Sequence, residues 1–197
     1  SVGDYLVIAG FNGLSEYPQY TDGWATSWSL ASSGSTYYDY TRIHVKICTQ
    51  SDLNSGYINL NASGYYFGST YYVFSNPNKM FVSDDVLQSY AMINNFIYYS
   101  KNRKTGASTS TVSSISIPSG SDVYGPNYLK ITSIGCNPNS SNSDLSYSGP
   151  GNKTAIEDGY WYRSGLSVYE YGSSNVGGTA YSNGGAGGMT WTSLYLI

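Results

Sequence analysis

Residues 37–48 read YYDYTRIHVKIC, and their alternation decides the fold class. Ile43, Val45 and Ile47 fall on one side of an extended chain, and Arg42, His44 and Lys46 on the other. A period of two is the mark of a strand, and one apolar face against one charged face is that of a half-buried antiparallel strand. Outward from this stretch the same period recurs. Strands are expected at 4–9, 24–30, 56–60, 64–75, 93–99, 111–117, 127–134, 160–171 and 189–196. Clusters of Gly, Asn, Ser and Pro separate them as turns: Asn12-Gly13, Asn54-Ser55-Gly56, Asn76-Pro77-Asn78, Gly149-Pro150-Gly151 and Asn183-Gly184-Gly185. One helix is expected at 84–91, where Ser83 is a good N-cap and Asp84 and Asp85 suit a first turn. The basic stretch 101–111, KNRKTGASTST, reads as an exposed loop. Many short strands with frequent turns predict an all-β fold, an antiparallel β-sandwich of jelly-roll or Ig-like type with at most one short helix.

Composition narrows the function classes. In 197 residues there are 9 basic and 12 acidic side chains, so no positive excess exists to neutralise phosphates and nucleic acid is excluded as a partner. No apolar run approaches the ~18 residues that a membrane helix needs. Aromatics reach 16%, which a disordered chain would not carry. Abundant hydroxyls and amides with only 11% charged residues suit a surface that is solvated without titrating, and such a surface would tolerate acid.

The setting reads as secreted. The sequence opens on Ser1 rather than Met, as the product of leader removal, or of trimming, would. Cys48 and Cys136 each close an apolar-alternating run, and in an oxidising compartment a disulfide between them is expected; the alternative is two buried thiols. Three sequons, at Asn61, Asn139 and Asn152, lie in or beside turns where a glycan would reach solvent.

A search for catalysis is mostly negative. The lone histidine, His44, sits between Arg42 and Lys46 on the polar side of a strand, and no G-x-S-x-G elbow exists to accompany it. No Cys/His constellation fits zinc. Residues 137–144, NPNSSNSD, offer oxygen ligands with a single formal charge, and a plain solvated turn explains them better than calcium. Asp84/Asp85 and Glu157/Asp158 are adjacent pairs, which on a strand point to opposite faces and so form no glycosidase site. The expectation is a non-enzyme without cofactor or metal.

Two features speak for interaction instead. The pairs Tyr37-Tyr38, Tyr65-Tyr66, Tyr71-Tyr72 and Tyr98-Tyr99, and the run Tyr160-Trp161-Tyr162, place a ring on each face of a strand. One ring joins the core, and the other faces solvent, a partner or a sugar. Residues 1–11, SVGDYLVIAGF, have Tyr5, Val7, Ala9 and Phe11 on one face and Leu6 and Ile8 on the other. A strand apolar on both faces must be buried on both, either in its own domain or in another molecule. The expected division is a donor strand, residues 1–11, and a single β-sandwich domain, residues 12–197. The C-terminal stretch 191–197 also reads as a strand.

Together the Tyr-, Ser-, Asn- and Gly-rich, charge-poor composition, the sequons and the apolar strand Tyr5 to Phe11 resemble secreted surface-filament subunits of thermoacidophilic archaea, the thread type assembled by strand donation. The resemblance implies a non-catalytic β-sandwich that polymerises outside the cell, with a role in adhesion or biofilm formation. Its partner would be a second copy of itself, and surface glycans or other cells would be further ones. The alternative is a viral tail-fibre receptor-binding domain or a lectin-like domain, which the glycine-rich stretch 177–188 and the tyrosines suit as well.

Overall fold

The computed structural model describes residues 1–13, 25–32, 38–57, 66–75, 96–100, 103–108, 112–117, 129–138, 145–157, 164–171 and 177–196. The fold is all-β, in antiparallel sheets. Sheet A contains β1 (Tyr5–Gly13), β2 (Ala25–Ser32), β3 (Tyr38–Ile47) and β4 (Tyr66–Phe74) in the order β2-β3-β1-β4. Sheet B contains β5 (Phe96–Ser100), β6 (Arg103–Ser108), β8 (Leu129–Pro138), β10 (Asn152–Glu157), β11 (Ser164–Tyr171) and β12 (Gly178–Leu196) in the order β10-β11-β8-β12-β6-β5. β7 (Val112–Ile117) and β9 (Leu145–Tyr147) also pair with β12.

The alternation that names the strands also fixes their register. Val7 of β1 lies opposite Val45 of β3 and Tyr72 of β4, and Tyr5 lies opposite Ile47 and Phe74. A slip of one residue would turn this apolar face away from its partners, so the pairing is strongly specified. The face meets Leu129 and Ile131 of β8 and Leu194 of β12 in one apolar cluster to which both sheets contribute. A second cluster covers the opposite face of sheet B, where Ile134, Cys136, Leu166, Met189 and Trp191 pack with Ile117 and Tyr147.

The second cluster explains the length of β12. Ala180 and Trp191 both belong to it. Eleven residues of straight strand would hold them ~36 Å apart. The strand is irregular between them, and its pairing register shifts between Tyr181 and Ala186 and again before Gly188. The glycine-rich stretch 183–188 thus redirects a strand, where the sequence predicts a turn between strands. Gly149 and Gly178 both lie against the Tyr147 ring, and a Cβ at either would overlap it.

The centre of sheet B, β8 and the second half of β12, is therefore buried on both faces, and period two no longer separates core from solvent there. All residues from Leu129 to Cys136 are buried, including Lys130, Thr132 and Ser133. Hydroxyls expected on a solvated surface lie inside, and some are tied to strand neighbours. Thr132 Oγ1 and Ser193 Oγ are 2.7 Å apart, and Ser133 Oγ donates to the Gly10 carbonyl at 2.9 Å. The polar face of β3 is corrected in the same sense, because Arg42 and His44 are both buried and only Lys46 is half-exposed.

Other boundaries differ for local reasons. Residues 50–55 form the helix α1 (Gln50–Ser55) instead of part of a turn region. Thr49 and Asp52 make a reciprocal capping box, and Gly56 closes the helix at φ 69°, a left-handed conformation that favours glycine. The helix expected at 84–91 and residues 58–60 of an expected strand lie outside the described residues. The loop expected at 101–111 contains β6, which pairs with both β5 and β12. Its basic residues do not prevent pairing, because a strand tolerates Arg and Lys wherever one face is not apolar.

In the single chain β1 occupies the interior of sheet A, with β3 on one side and β4 on the other.

Candidate assembly site

The position of β1 is the most distinctive feature of sheet A. It runs antiparallel to both neighbours, so β3 and β4 run parallel to each other on either side of it. Pairing is uninterrupted, from Tyr5 opposite Ile47 and Phe74 to Gly13 opposite Asp39 and Tyr66. It continues past the strand end, where the Gly3 N–H donates to the Cys48 carbonyl at 2.9 Å and the Cys48 N–H donates to the Asp4 carbonyl at 2.8 Å. Without β1, two strand edges and one core face would open together.

The side chains follow the same plan. Tyr5, Val7 and Ala9 are buried in the cluster between the sheets, and burial pushes the Tyr5 phenol pKa up. Leu6 is buried on the other face with Cys48, and Ile8 is half-buried against them. The Phe11 backbone pairs with Thr41 and Gly68, while its side chain lies outside the described residues. Beside Ile8 and Leu6, β4 presents Tyr71, 80% exposed, and Val73. The next ring, Tyr72, turns inward to Phe74 and Tyr169, with centroids 5.6 and 5.2 Å away. This dipeptide places one ring on each face.

The expected disulfide is not formed. Cys48 and Cys136 are both buried thiols in different clusters, Cys48 with Leu6 and Cys136 with Met189 and Trp191. A bond requires Cα atoms within ~7 Å, which strands committed to separate cores do not provide here. Cys48 Sγ instead approaches the Thr49 carbonyl at 3.7 Å. Of the three sequons, Asn152 is exposed at the first residue of β10, and Asn61 and Asn139 lie outside the described residues.

His44 occupies the interior of β3, opposite Ile8 and Thr26, which corrects its placement on a charged outer face. Burial, with the charge of Arg42, lowers its pKa to about 3. Burial also lowers Arg42 to about 10. An unfolded histidine near 6.5 binds its proton long before the folded one does. Stability from a neutral buried His44 is therefore complete above about pH 6.5 and is lost as pH falls toward 3. The urea midpoint is expected to drop between pH 7 and pH 4, with a slope of at most about 1.4 kcal/mol per pH unit from this group. His44→Gln should flatten that slope, and an unchanged slope would contradict the assignment. Asp52 acts lower on the scale. Burial would raise its pKa, but hydrogen bonds from Lys46 and Thr49 outweigh this and hold it at about 2, so its contribution is lost only below about pH 4.

The sequence reading missed a buried ion pair. Lys130 of β8 and Glu170 of β11 face each other across adjacent strands, with Nζ 3.3 Å from Oε1. Their signal is present in the sequence as single charges inside apolar runs, YLKITSI and LSVYEY. Among the described residues no group of three or more His, Cys, Asp or Glu could hold a metal ion, and no helix is long and apolar enough to cross a membrane. Of the carboxylate pairs, Glu157 ends β10, while Asp84, Asp85 and Asp158 lie outside the described residues.

Compared with protein-family models, curated proteins and solved structures, the chain matches none. Its function must be argued from the β1 slot.

Proposed function

We propose that this chain is a non-enzymatic, extracellular structural subunit of a cell-surface filament, acting in adhesion or biofilm formation. Each copy places its β1 in the slot between β3 and β4 of the next, and the single chain fills its own slot. One observation carries the reading: β1 completes two strand edges and the cluster between the sheets at once. Exchange between copies would reproduce the same hydrogen bonds and burial, so both arrangements are close in energy and concentration decides between them. Donation is head-to-tail and need not close into a ring, which yields a fibre. Within this reading the fold is a β-sandwich, the chain is secreted, Asn152 is a glycan site, and the exposed Tyr71 remains available for contacts along the fibre.

The test is electron microscopy of the full chain after concentration and mild heating, with and without a synthetic peptide of residues 1–13. Fibres that shorten when the peptide is present are expected. A chain that stays monomeric at millimolar concentration would refute the proposal, and a closed trimer would favour the viral-fibre alternative.

A further inference from the structure

The buried pair Lys130–Glu170 serves no part of the β1 slot. The two residues are directly opposite each other in the β8–β11 register. Both are nearly inaccessible, with side-chain exposures of 3% and 11%, and Lys130 Nζ stands 3.3 Å from Glu170 Oε1. The second carboxylate oxygen, Oε2, is buried with no hydrogen-bond partner among the described residues. An ion pair held away from water is stable only when its remaining lone pairs are satisfied, and this one leaves an oxygen unserved.

We propose that Lys130 and Glu170 are the partners of an intramolecular isopeptide bond that joins β8 to β11 covalently. The starting state is the neutral pair, formed when the ammonium proton passes to the facing carboxylate. The Nζ lone pair attacks Cδ, and the C–N bond forms. A C–O bond of the carboxyl group breaks, and its hydroxyl leaves with one Nζ proton as water. No oxidant, metal or further reactant is required. Two charges held away from water are costly, and burial of the site lowers the Lys130 pKa, partly offset by Glu170, which favours the neutral amine. Holding the two groups in this geometry replaces an encounter by an effective concentration of about 10⁵ M or more. Loss of water into solvent then favours the amide in a site that water does not readily re-enter.

Intact and peptide mass spectrometry of the folded full chain, made in a host that adds no glycans, tests the bond. The chain is expected to be one water lighter than its sequence, with the loss located in a branched peptide joining Lys130 to Glu170. Lys130→Arg keeps a positive charge but has no primary amine, and should restore the full mass. A wild-type chain at full mass with unmodified Lys130 and Glu170 peptides would overturn the proposal, as would a water loss located elsewhere. The wild-type result decides even where the variant fails to fold.

Discussion

Replacing Val7 by Asp is expected to abolish the folded single chain. Val7 is 1% exposed, between Val45 and Tyr72 in the cluster shared by both sheets. The described residues of the cluster are apolar or aromatic and offer a carboxylate no cation, and an unpaired buried charge costs several kcal/mol even after relaxation. That is comparable with the ~5–15 kcal/mol that holds a whole domain together. Circular dichroism and urea titration should therefore show a chain without a cooperative transition. If β1 is exchangeable, the slot itself is unaltered in this variant. Adding a wild-type peptide of residues 1–13 should restore β-structure and a urea transition. A Val7→Asp chain that folds with wild-type stability would show that Val7 does not occupy the core.

Trp191→Ala is the second large effect, and it reports on the other core. The indole is completely buried, opposite Ile134 of β8 and Gly106 of β6, in the cluster with Met189 and Tyr147. Truncation loses the transfer energy of a large ring and leaves a cavity, together ~3–5 kcal/mol. At ~2–4 °C per kcal/mol for a chain of this size, the melting temperature should fall by ~6–20 °C. Calorimetry measures this directly. Filament formation should survive in any fraction that remains folded, because the cavity lies across sheet B from the β1 slot. A fall of less than ~2 °C would mean that the second cluster is not a core.

What could be read from the sequence follows from how each strand is buried. In β1 the residues that meet the core are those the alternation picks out, Tyr5, Val7 and Ala9, and Tyr71 and Tyr72 divide between two faces as a strand requires. β3 was legible as a strand, but the environment of Arg42 and His44 was not, since charge patterning marks a polar face without saying whether chain covers it. β8 and the second half of β12 are the harder case. Burial on both faces normally reads as a continuous apolar run. Here Thr132 and Ser133 are bonded inside, so hydroxyls imitate a solvent face. The helix α1 was hidden by its brevity, although Thr49-x-x-Asp52 followed by Gly56 carries both of its end signals. The cysteines show the limit of spacing arguments: each closes a strand-like run, yet the two strands deliver them to different clusters. The β1 slot could be inferred only in part, because two apolar faces require burial without naming the molecule that supplies it.

The central claim is that β1 of one copy fills the slot of another. Ile8 and Tyr71 are direct cross-strand neighbours, and both lie on the face of sheet A turned away from the cluster shared with sheet B. Introducing Ile8→Cys and Tyr71→Cys together therefore reports which chain supplies the strand. Assembled at high concentration, oxidised, denatured and run without reductant, the double variant is predicted to give a covalent ladder of many subunits, while the dilute chain gives an internally closed monomer. Monomer alone from the concentrated sample, with the engineered pair fully oxidised, would show that β1 stays in its own chain and would contradict the account.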